Sequence, residues 1–533
     1  MKKVVSLLLV LLLSCSVAFA GTLTEAGTFP VVEGEPETLT ILITEDPLVS
    51  SFEDNGFTRY IEENCNVNLD FKYLPSNDAA GKLQVMITSG ETLPDVIVGG
   101  YGYTAMDAYA RSGAIVPMDE LYEKYSVNFK KQVEAHPELQ LLEQVTGTDG
   151  HIYAIPRFFV ELNNIYAFRM WICHEWLDNL DLEMPTTTDE FYEVLKAFRD
   201  EDANGNGDPN DEIPLMGSNN FNTWNPTMFL MNAFVYTNRN VDYRYLDDGQ
   251  VTVSYIQPGW KEGIEYMRML YEEGLIDPAT FTQTTTQQKA QTYNEGDVRI
   301  VGVFTVQNLS EVEQAKSYTG LMPLEGPNGV QYSVYTPSSA TRAWMITRDC
   351  KNPELAFRVG DFCFTEEAFL RDRVGEEGKS WVKASDTDVS IFPDYYDATF
   401  VWLDNAYMWT NSQNSIWRQK APLFALTGLN GRAAGETLSY SARTNNATIQ
   451  KLAEYAPDMD MILGFVPLTE EESKTINDIA ATLKSYVEEN LVLFVTGDRD
   501  VETEWDNYLS ELDNIGLQDY LNVYQAAYER SHN

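Results

Sequence analysis

Positive charge is scarce in this sequence: 37 Lys and Arg stand against 81 Asp and Glu over 533 residues, for a formal net charge of −44. Phosphate contacts supply most of the affinity of nucleic-acid binders, so a surface of this sign repels nucleic acid and anionic lipid. The acidity excludes those partners and names none. Cysteine is also sparse. Beyond Cys15 there are Cys65, Cys173, Cys350 and Cys363, and none are spaced C-x-x-C, so no zinc or redox motif is suggested and buried free thiols are expected. His136, His151 and His174 are isolated from one another and from any metal-ligand spacing. The sequence lacks a G-x-S-x-G elbow, an H-E-x-x-H helix, a P-loop and a G-x-G-x-x-G after a strand. Glycosidases need only two carboxylates across a cleft, and that many acidic residues leave such a pair open. No apolar run reaches the length of a membrane helix.

What is present begins with an export signal. Lys2 and Lys3 precede the apolar run Val4 to Leu13, and small residues follow, the pattern of a secretory signal peptide. Ala18-Phe19-Ala20 before Gly21 is an A-x-A cleavage site; Leu12-Leu13-Ser14-Cys15 resembles a lipobox that would lipidate Cys15. Leu at the second lipobox position is atypical and no Gly/Ser tether follows, which favours the soluble product. Either way the mature chain works outside the cytoplasm, periplasmic or secreted, or attached to the outer membrane face. A composition of 44% hydrophobic and 12% aromatic residues describes a globular chain long enough for more than one domain.

Residues 21–37 read as a flexible leader. Leu39–Ile43 is a β-branched strand, a helix fits 54–64, Val67–Phe71 alternates as a strand, a helix fits 78–89, and Pro94–Val98 is apolar up to Gly99-Gly100-Tyr101. Strands alternating with helices predict a parallel sheet. Ligands sit beyond the carboxyl ends of such strands, which places Glu45, Asp46, Gly100, Tyr101 and Tyr103 at a binding edge. Farther on, Thr187 with Glu190 and Thr469 with Glu472 form capping boxes. Phe191, Val194, Leu195 and Phe198, and later Ile476, Ile479, Leu483 and Tyr486, repeat at helical spacing.

Gly150-His151-Ile152-Tyr153-Ala154-Ile155-Pro156 resembles the first interlobe crossing of extracellular solute-binding proteins of carbohydrate importers. Trp176-Leu177-Asp178-Asn179-Leu180 before Pro185-Thr186-Thr187 resembles a further stretch of that family. The C-terminal run from Thr496-Gly497 through Trp505-Asp506 and Gly516-Leu517 to Tyr524-Gln525-Ala526-Ala527-Tyr528 is similar to the closing helices of its long, calcium-containing, oligosaccharide-binding branch. Cys173-His174-Glu175 departs from the basic residue and aspartate common there. The resemblance implies an α/β, two-lobed periplasmic-binding-protein-like (type II) fold with an interlobe hinge. Its expected partition is a signal peptide at 1–20, an N-terminal lobe at 38–156 and 325–370, and a C-terminal lobe at 157–324 and 371–533. The second crossing is expected near Leu321-Met322-Pro323-Leu324.

Asp202-Ala203-Asn204-Gly205-Asn206-Gly207-Asp208 carries oxygen donors at positions one, three and five and glycine at six, the first half of an EF-hand-like loop. The acidic pair Asp211-Glu212 comes too early for a true EF-hand and resembles the calcium loop of the solute-binding branch. Side-chain ligation is assigned to Asp202, Asn204, Asn206, Asp211 and Glu212 and a main-chain carbonyl to Asp208, with a structural Ca2+. Sugars stack their C–H faces on aromatic rings, so Trp171, Trp224 and Trp409 are candidate platforms. Arg169, Arg342 and Arg373 are candidate polar clamps, and Tyr101, Phe158 and Phe304 follow segments expected to end at the cleft. The reading that results is a monomer that binds an oligosaccharide, neutral because basic residues are few, and delivers it to ABC transporter permease subunits without catalysis. A secreted glycoside hydrolase or lyase and a peptide-binding importer subunit are the alternatives.

Overall fold

A computed structural model describes residues 21–310, 312–391, 397–403, 412–426, 434 and 439–532. Cys15, Trp409 and residues 1–20, expected as a signal peptide, lie outside the described residues. Two sheets organise the chain, each inside its own core. The first has six strands in the order Leu423–Ala425, Ile155–Phe159, Thr341–Ile346, Val96–Tyr101, Glu37–Thr44 and Val67–Leu74. Glu37–Thr44 pairs in parallel with both neighbours, and Thr341–Ile346 runs antiparallel between its own. Ile41, Leu42 and Ile43 are consecutive and all buried, as a parallel strand covered on both faces requires. The helix Gly56–Cys65 starts where the Asn55 side chain accepts the Phe57 N–H, which satisfies one of the orphan donors of its first turn.

The second sheet has four strands, Tyr318–Leu321, Met170–Cys173, Val301–Thr305 and Ile213–Met216. Val301–Thr305 is parallel to Ile213–Met216 and antiparallel to Met170–Cys173. Both expected capping boxes form, at Thr187 with Glu190 and at Thr469 with Glu472. Phe191, Val194, Leu195 and Phe198 are all buried on one face. The C-terminal helices Glu470–Thr496, Val501–Ile515 and Leu517–His532 complete this core through Ile476, Leu483, Phe494, Tyr508 and Tyr520.

The chain passes between the sheets three times: after Phe159, before Thr341, and between Ala425 and the helix Tyr440–Ala453. The first two crossings run side by side, with Thr336 N–H donating to the Ile165 carbonyl at 2.9 Å. On the second lobe, the Tyr335 carbonyl accepts from Asn238 Nδ2 at 2.7 Å and Tyr236 Oη at 3.1 Å. On the first lobe, Ala340 N–H donates to Gln144 Oε1 at 2.7 Å. These few bonds clamp each end of a segment with no regular structure, the arrangement expected of a hinge.

Three expectations change. Leu321 ends a strand of the second sheet, and Leu321 and Leu324 are buried in the second core, so the crossing comes later, at 333–341, and 325 does not open the first lobe. The described residues of 371–426 do not join the second lobe: Leu423–Ala425 extends the first sheet beside Ile155–Phe159 and Trp417 lies in the first core. A three-residue strand carries a local pattern but no signal of which sheet it joins. The 21–37 leader is fixed, as a short ladder pairs Thr22–Leu23 with Val32–Glu33. Arg358, 3% exposed, donates to the carbonyls of Thr24 and Glu25 at 2.6 and 2.8 Å. Among the described residues Cys65, Cys173 and Cys363 are buried free thiols and Cys350 is a half-buried one.

One buried ion pair sits beneath the crossing strand. Arg157 Nη1 is 3.2 Å from Asp372 Oδ2, with side chains 4% and 1% exposed. Arg157 and Arg373 both lie over the Phe159 ring, at 5.2 and 5.0 Å. Removing one partner of a buried pair leaves an uncompensated charge. Asp372→Asn is therefore expected to cost about 3–5 kcal/mol of stability, read from urea midpoints; a shift below about 1 kcal/mol would show that the carboxylate does not hold these arginines.

Candidate functional site

The carboxyl ends of the parallel strands define one edge on each sheet. On the first sheet, Glu37–Thr44 runs into Glu45 and Asp46, Val96–Tyr101 into Gly102, and Ile155–Phe159 into Val160 and Glu161. On the second, Ile213–Met216 runs into Gly217–Trp224 and Val301–Thr305 into Val306–Asn308. Asn219, Asn220, Asn222 and Asn308 are exposed there, and Phe221, Trp224 and Gln307 are half-buried. Amides together with accessible rings match the hydroxyls and C–H faces of a sugar. A concavity of about 600 Å3 lies at the first edge, lined by Glu45, Asp46, Ser50, Glu53 and Tyr73, and Asp46 is held by Arg418 at 2.5 Å.

The second edge is built by a closed loop. Ser218 N–H donates to the Trp224 carbonyl and Asn225 Nδ2 to the Ser218 carbonyl, each at 2.8 Å. Gln283 Nε2 donates to the Gly217 carbonyl at 2.7 Å. Gly217 has to be glycine: a Cβ there would lie 2.5 Å from Pro226 Cδ and 2.9 Å from the Trp224 oxygen. The loop thus exposes Asn222 and holds Phe221 and Trp224 half-buried against the second core.

A separate cavity of about 660 Å3 also touches both lobes, lined by Tyr103, Phe158, Val160, the crossing residues Tyr335–Ser339, and Phe465 among others. On the first lobe Tyr103, Thr104 and Val160 line it, just past the carboxyl ends of Val96–Tyr101 and Ile155–Phe159. Its second-lobe wall comes from residues 240–244 and 463–480, with Tyr524, none of which follows a parallel strand. Side chains alternate along the crossing strand: Phe158 and Val160 face this cavity, while Phe159 meets Arg157 and Arg373 on the other side.

The structure redistributes the expected ligand residues. Trp224 stands at the second edge, half-buried. Tyr101 ends its strand half-buried, its ring edge-on to Tyr109 at 6.0 Å. Trp171 and Phe304 are core residues, 0% and 1% exposed; the Trp171 indole N–H donates to the Val306 carbonyl at 2.8 Å and Phe304 meets Tyr318 edge-on at 4.8 Å. Both lie inside strands covered on either face, so the groups that reach the cleft come after the strand's last residue. Phe158 is 1% exposed and stacks on Phe424 at 5.9 Å, at the wall of the 660 Å3 cavity. Arg373 is 6% exposed, packed on Phe159 beside Asp372. Arg342 is 5% exposed and donates to the Gln144 and Ala340 carbonyls, each at 2.7 Å. None of the three is an open clamp.

Arg169 is also enclosed, at 1% exposure. Its guanidinium donates to the Asn163 carbonyl at 2.8 Å, Asn163 Oδ1 at 3.0 Å and Asn308 Oδ1 at 2.9 Å, and also to the Gln307 carbonyl. Burial pulls it down to about 9, against the favourable charge of Glu161. It orients the first crossing and the second edge and does not grip a ligand directly. Asn219, Asn220, Phe221, Glu161, Asn163, Gln307 and Asn308 escaped the sequence reading. The signal that would have found them is the step just past each apolar strand.

The Asp202–Glu212 loop joins the helix Thr188–Asp200 to the strand Ile213–Met216. Asp202 accepts from the backbone of Asn206 and Gly207 at 3.0 and 2.9 Å, and Asn206 Oδ1 from Asp208 at 2.7 Å. Asp211 accepts from the side-chain amides of Asn204 and Asn206 at 2.7 and 2.8 Å. Gly205 and Gly207 have φ of 72° and 92°, the turn that glycine permits. Glu212 Oε1 accepts from Asn204 N–H at 3.3 Å, while Oε2 is buried with no hydrogen-bond partner among the described residues. Burial, with Asp211 and Asp202 nearby, pushes the Glu212 carboxyl up. Among the described residues no three His, Cys, Asp or Glu side chains form a metal-holding group by themselves; here amides stand between the carboxylates.

Residues 45–368 match the bacterial extracellular solute-binding protein family. The fructooligosaccharide ABC transporter substrate-binding protein FusA of Streptococcus pneumoniae is 29% identical, over 95% of this chain and 92% of its own. FusA structures in complex with kestose, and as an EF-hand mutant with fructo-nystose, each superpose with a TM-score of 0.71 over 93% of this chain and 99% of theirs, at 27% and 26% identity. An HMO-binding solute-binding protein of Bifidobacterium longum infantis shares the fold, with a TM-score of 0.76 at 21% identity over 93% of this chain and 99% of its own. With two lobes joined by three crossings and a family match spanning both, this chain belongs to the bacterial extracellular solute-binding proteins.

Proposed function

We propose that the protein captures a neutral oligosaccharide between the Glu45–Asp46 and Asn219–Trp224 edges and hands it, as a monomer, to the permease of an ABC importer. As a member of its family it is a binding protein and not an enzyme, and it works outside the cytoplasm. Among the described residues no helix is long and apolar enough to cross a membrane. The observation that carries the reading is the second edge, where exposed asparagines flank Phe221 and Trp224 on a loop that closes on itself. The three arginines expected as clamps, Arg169, Arg342 and Arg373, are enclosed in the protein, which supports a neutral ligand. Similarity to FusA puts kestose and nystose first in a ligand panel, ahead of peptides and acidic oligosaccharides. The hydrolase and peptide readings have no comparable support.

Two measurements test this. A ligand that binds only the folded protein raises its stability, by about 2.7 kcal/mol at a hundredfold excess over Kd, so one class of neutral oligosaccharide should raise the melting temperature while leaving the sugar intact. Trp224→Ala should then weaken binding by about 2 kcal/mol, roughly 30-fold, in titration calorimetry, with the unliganded melt nearly unchanged. Undiminished affinity in that variant would remove Trp224 from the site.

The Asp202–Glu212 loop fits a structural Ca2+. Its donors are hard oxygens, its backbone turns tightly, and a buried carboxylate oxygen lacks a proton donor, which a cation would satisfy. Asp202, Asn204, Asn206, Asp211 and Glu212 would supply side chains and Asp208 a carbonyl, with the Asn204 and Asn206 amides turned to present oxygen. The EF-hand of FusA supports the same reading. The ion would fix the loop and take no part in chemistry. Excess chelator should lower the melting temperature of the parent protein and leave that of Asp202→Ala unmoved; equal melts of the parent with and without chelator, with no metal found by elemental analysis, would count against the site.

A further inference from the structure

The 660 Å3 cavity has walls from three parts of the chain. On the first lobe, Tyr103 and Thr104 open the helix Tyr103–Arg111, directly past the strand Val96–Tyr101. The second crossing supplies Tyr335 to Ser339. On the second lobe, residues 462–469 form a strap without helix or strand, and its Leu463 is buried against Leu246 and Val251. Phe465 leaves this strap to meet the Tyr103 ring edge-on at 5.6 Å. Arg342, 5% exposed, lies 5.3 Å from the Tyr103 ring centre and 5.9 Å from that of Phe465, so a buried cation holds both rings in place. Both rings remain half-buried in the cavity wall.

The polar groups of this cavity are neutral and unspent. The side chains of Thr104, Gln140, Ser338, Ser339 and Asn477 line it and make no hydrogen bond among the described residues. Its charged groups are already committed. Asp242 pairs with Lys484 at 2.7 Å, the Arg244 guanidinium lies 3.9 Å from the Tyr524 ring centre, and Glu138 meets His136 at 3.3 Å. Gln140 is the most telling of the free amides. Its φ is 49°, in the left-handed region that suits glycine and strains any residue with a Cβ. Its N–H donates to the Pro137 carbonyl and its carbonyl accepts the Gln144 N–H, each at 3.1 Å, and neither bond needs a glutamine side chain. A strained residue whose side chain serves no structural bond points to a functional use.

We propose that this cavity is a subsite for neutral sugar units of the captured oligosaccharide, with Tyr103 and Phe465 as stacking rings and Gln140 as an amide contact. Its volume lies within the roughly 300–1,000 Å3 of small-molecule sites. Sugar hydroxyls match its free amides and hydroxyls, and sugar C–H faces match its rings. A charged ligand would have to compete with the pairs that already hold Asp242, Arg244 and Glu138. A ligand touching all three walls would engage both lobes and the crossing together. The proposal rests on the two-lobed oligosaccharide-binding reading above and goes beyond its two edges, since the second-lobe wall of this cavity follows no parallel strand.

The full-length mature chain and its Gln140→Gly and Phe465→Ala variants test it in titration calorimetry, with kestose and nystose as probes. Phe465→Ala should weaken binding roughly 30-fold. Gln140→Gly should weaken it about fivefold, the worth of one hydrogen bond. The melting temperature of unliganded Gln140→Gly should stay level or rise, because glycine relieves the positive φ. Weaker binding by a protein that is no less stable is a result that a purely structural role for Gln140 would not give. If Phe465→Ala loses its far-ultraviolet circular dichroism, Gln140→Gly decides alone. Parental affinity in the folded variants of a parent that binds either sugar overturns the subsite and leaves the import reading standing. A parent that binds neither sugar overturns the ligand class, and the subsite with it.

Discussion

The guanidinium of Arg169 sits where everything about this protein meets. It is buried, and its Nη1 and Nη2 donate to the carbonyl and side chain of Asn163 on the first crossing and to Gln307 and Asn308 at the end of a second-sheet strand, while its Nε has no partner among the described residues. Keeping a cation in such a place is costly unless its hydrogens are well matched. The crossing and the cleft edge are consequently fixed to one another, and neither can shift without breaking charged hydrogen bonds. Motion is left to the segments on either side, where single backbone bonds hold the chain. The hinge is soft because it is thinly bonded, and the edge is precise because this arginine is not.

Two independent cores explain why such a hinge can work at all. Each sheet buries its own apolar set, the first around Ile41, Val96 and Trp344 and the second around Ile172, Val303 and Leu491. Since neither core needs the other to exclude water, rotation between lobes exposes little apolar surface and can be driven by modest differences in contact energy. Oligosaccharides suit such a device. They offer many weak polar contacts and a few stacking faces, and closure recruits both edges at once.

Legibility in the sequence followed the range of each interaction. The alternation of strands and helices over 37–101 could be read because apolar runs and caps are local, and both capping boxes form where Thr and Glu stand three apart. The binding edge on the first sheet was legible for the same reason: Glu45 and Asp46 close an apolar run. Trp171 and Phe304 went the other way. An aromatic residue beside polar neighbours can serve a ligand or a core, and only the pairing of Phe304 with Trp171 across two strands decides for the core. Likewise the lone arginines at 169, 342 and 373 carry no local mark of burial. The three-residue strand Leu423–Ala425 joined the first sheet through a partner more than 260 residues away in sequence, a distance at which periodicity says nothing.

The acidic loop and the cleft are connected by one short piece of chain. Glu212 is followed directly by the strand Ile213–Met216, whose far end is Gly217 and the loop carrying Trp224. Ile213 and Leu215 are locked by parallel pairing to Val301 and Val303, so this strand transmits register rigidly over its length. Disorder at the acidic end could enter the cleft only by slipping that ladder, and a slip of one residue would turn every side chain to the opposite face. Gly217 leaves no room for such a slip, since any Cβ placed there collides with Pro226. The acidic loop thus fixes the start of a strand whose end leads into the loop of Phe221 and Trp224. The Asp-Asn-Gly loop and the candidate platform Trp224 stand at opposite ends of the same four-residue strand.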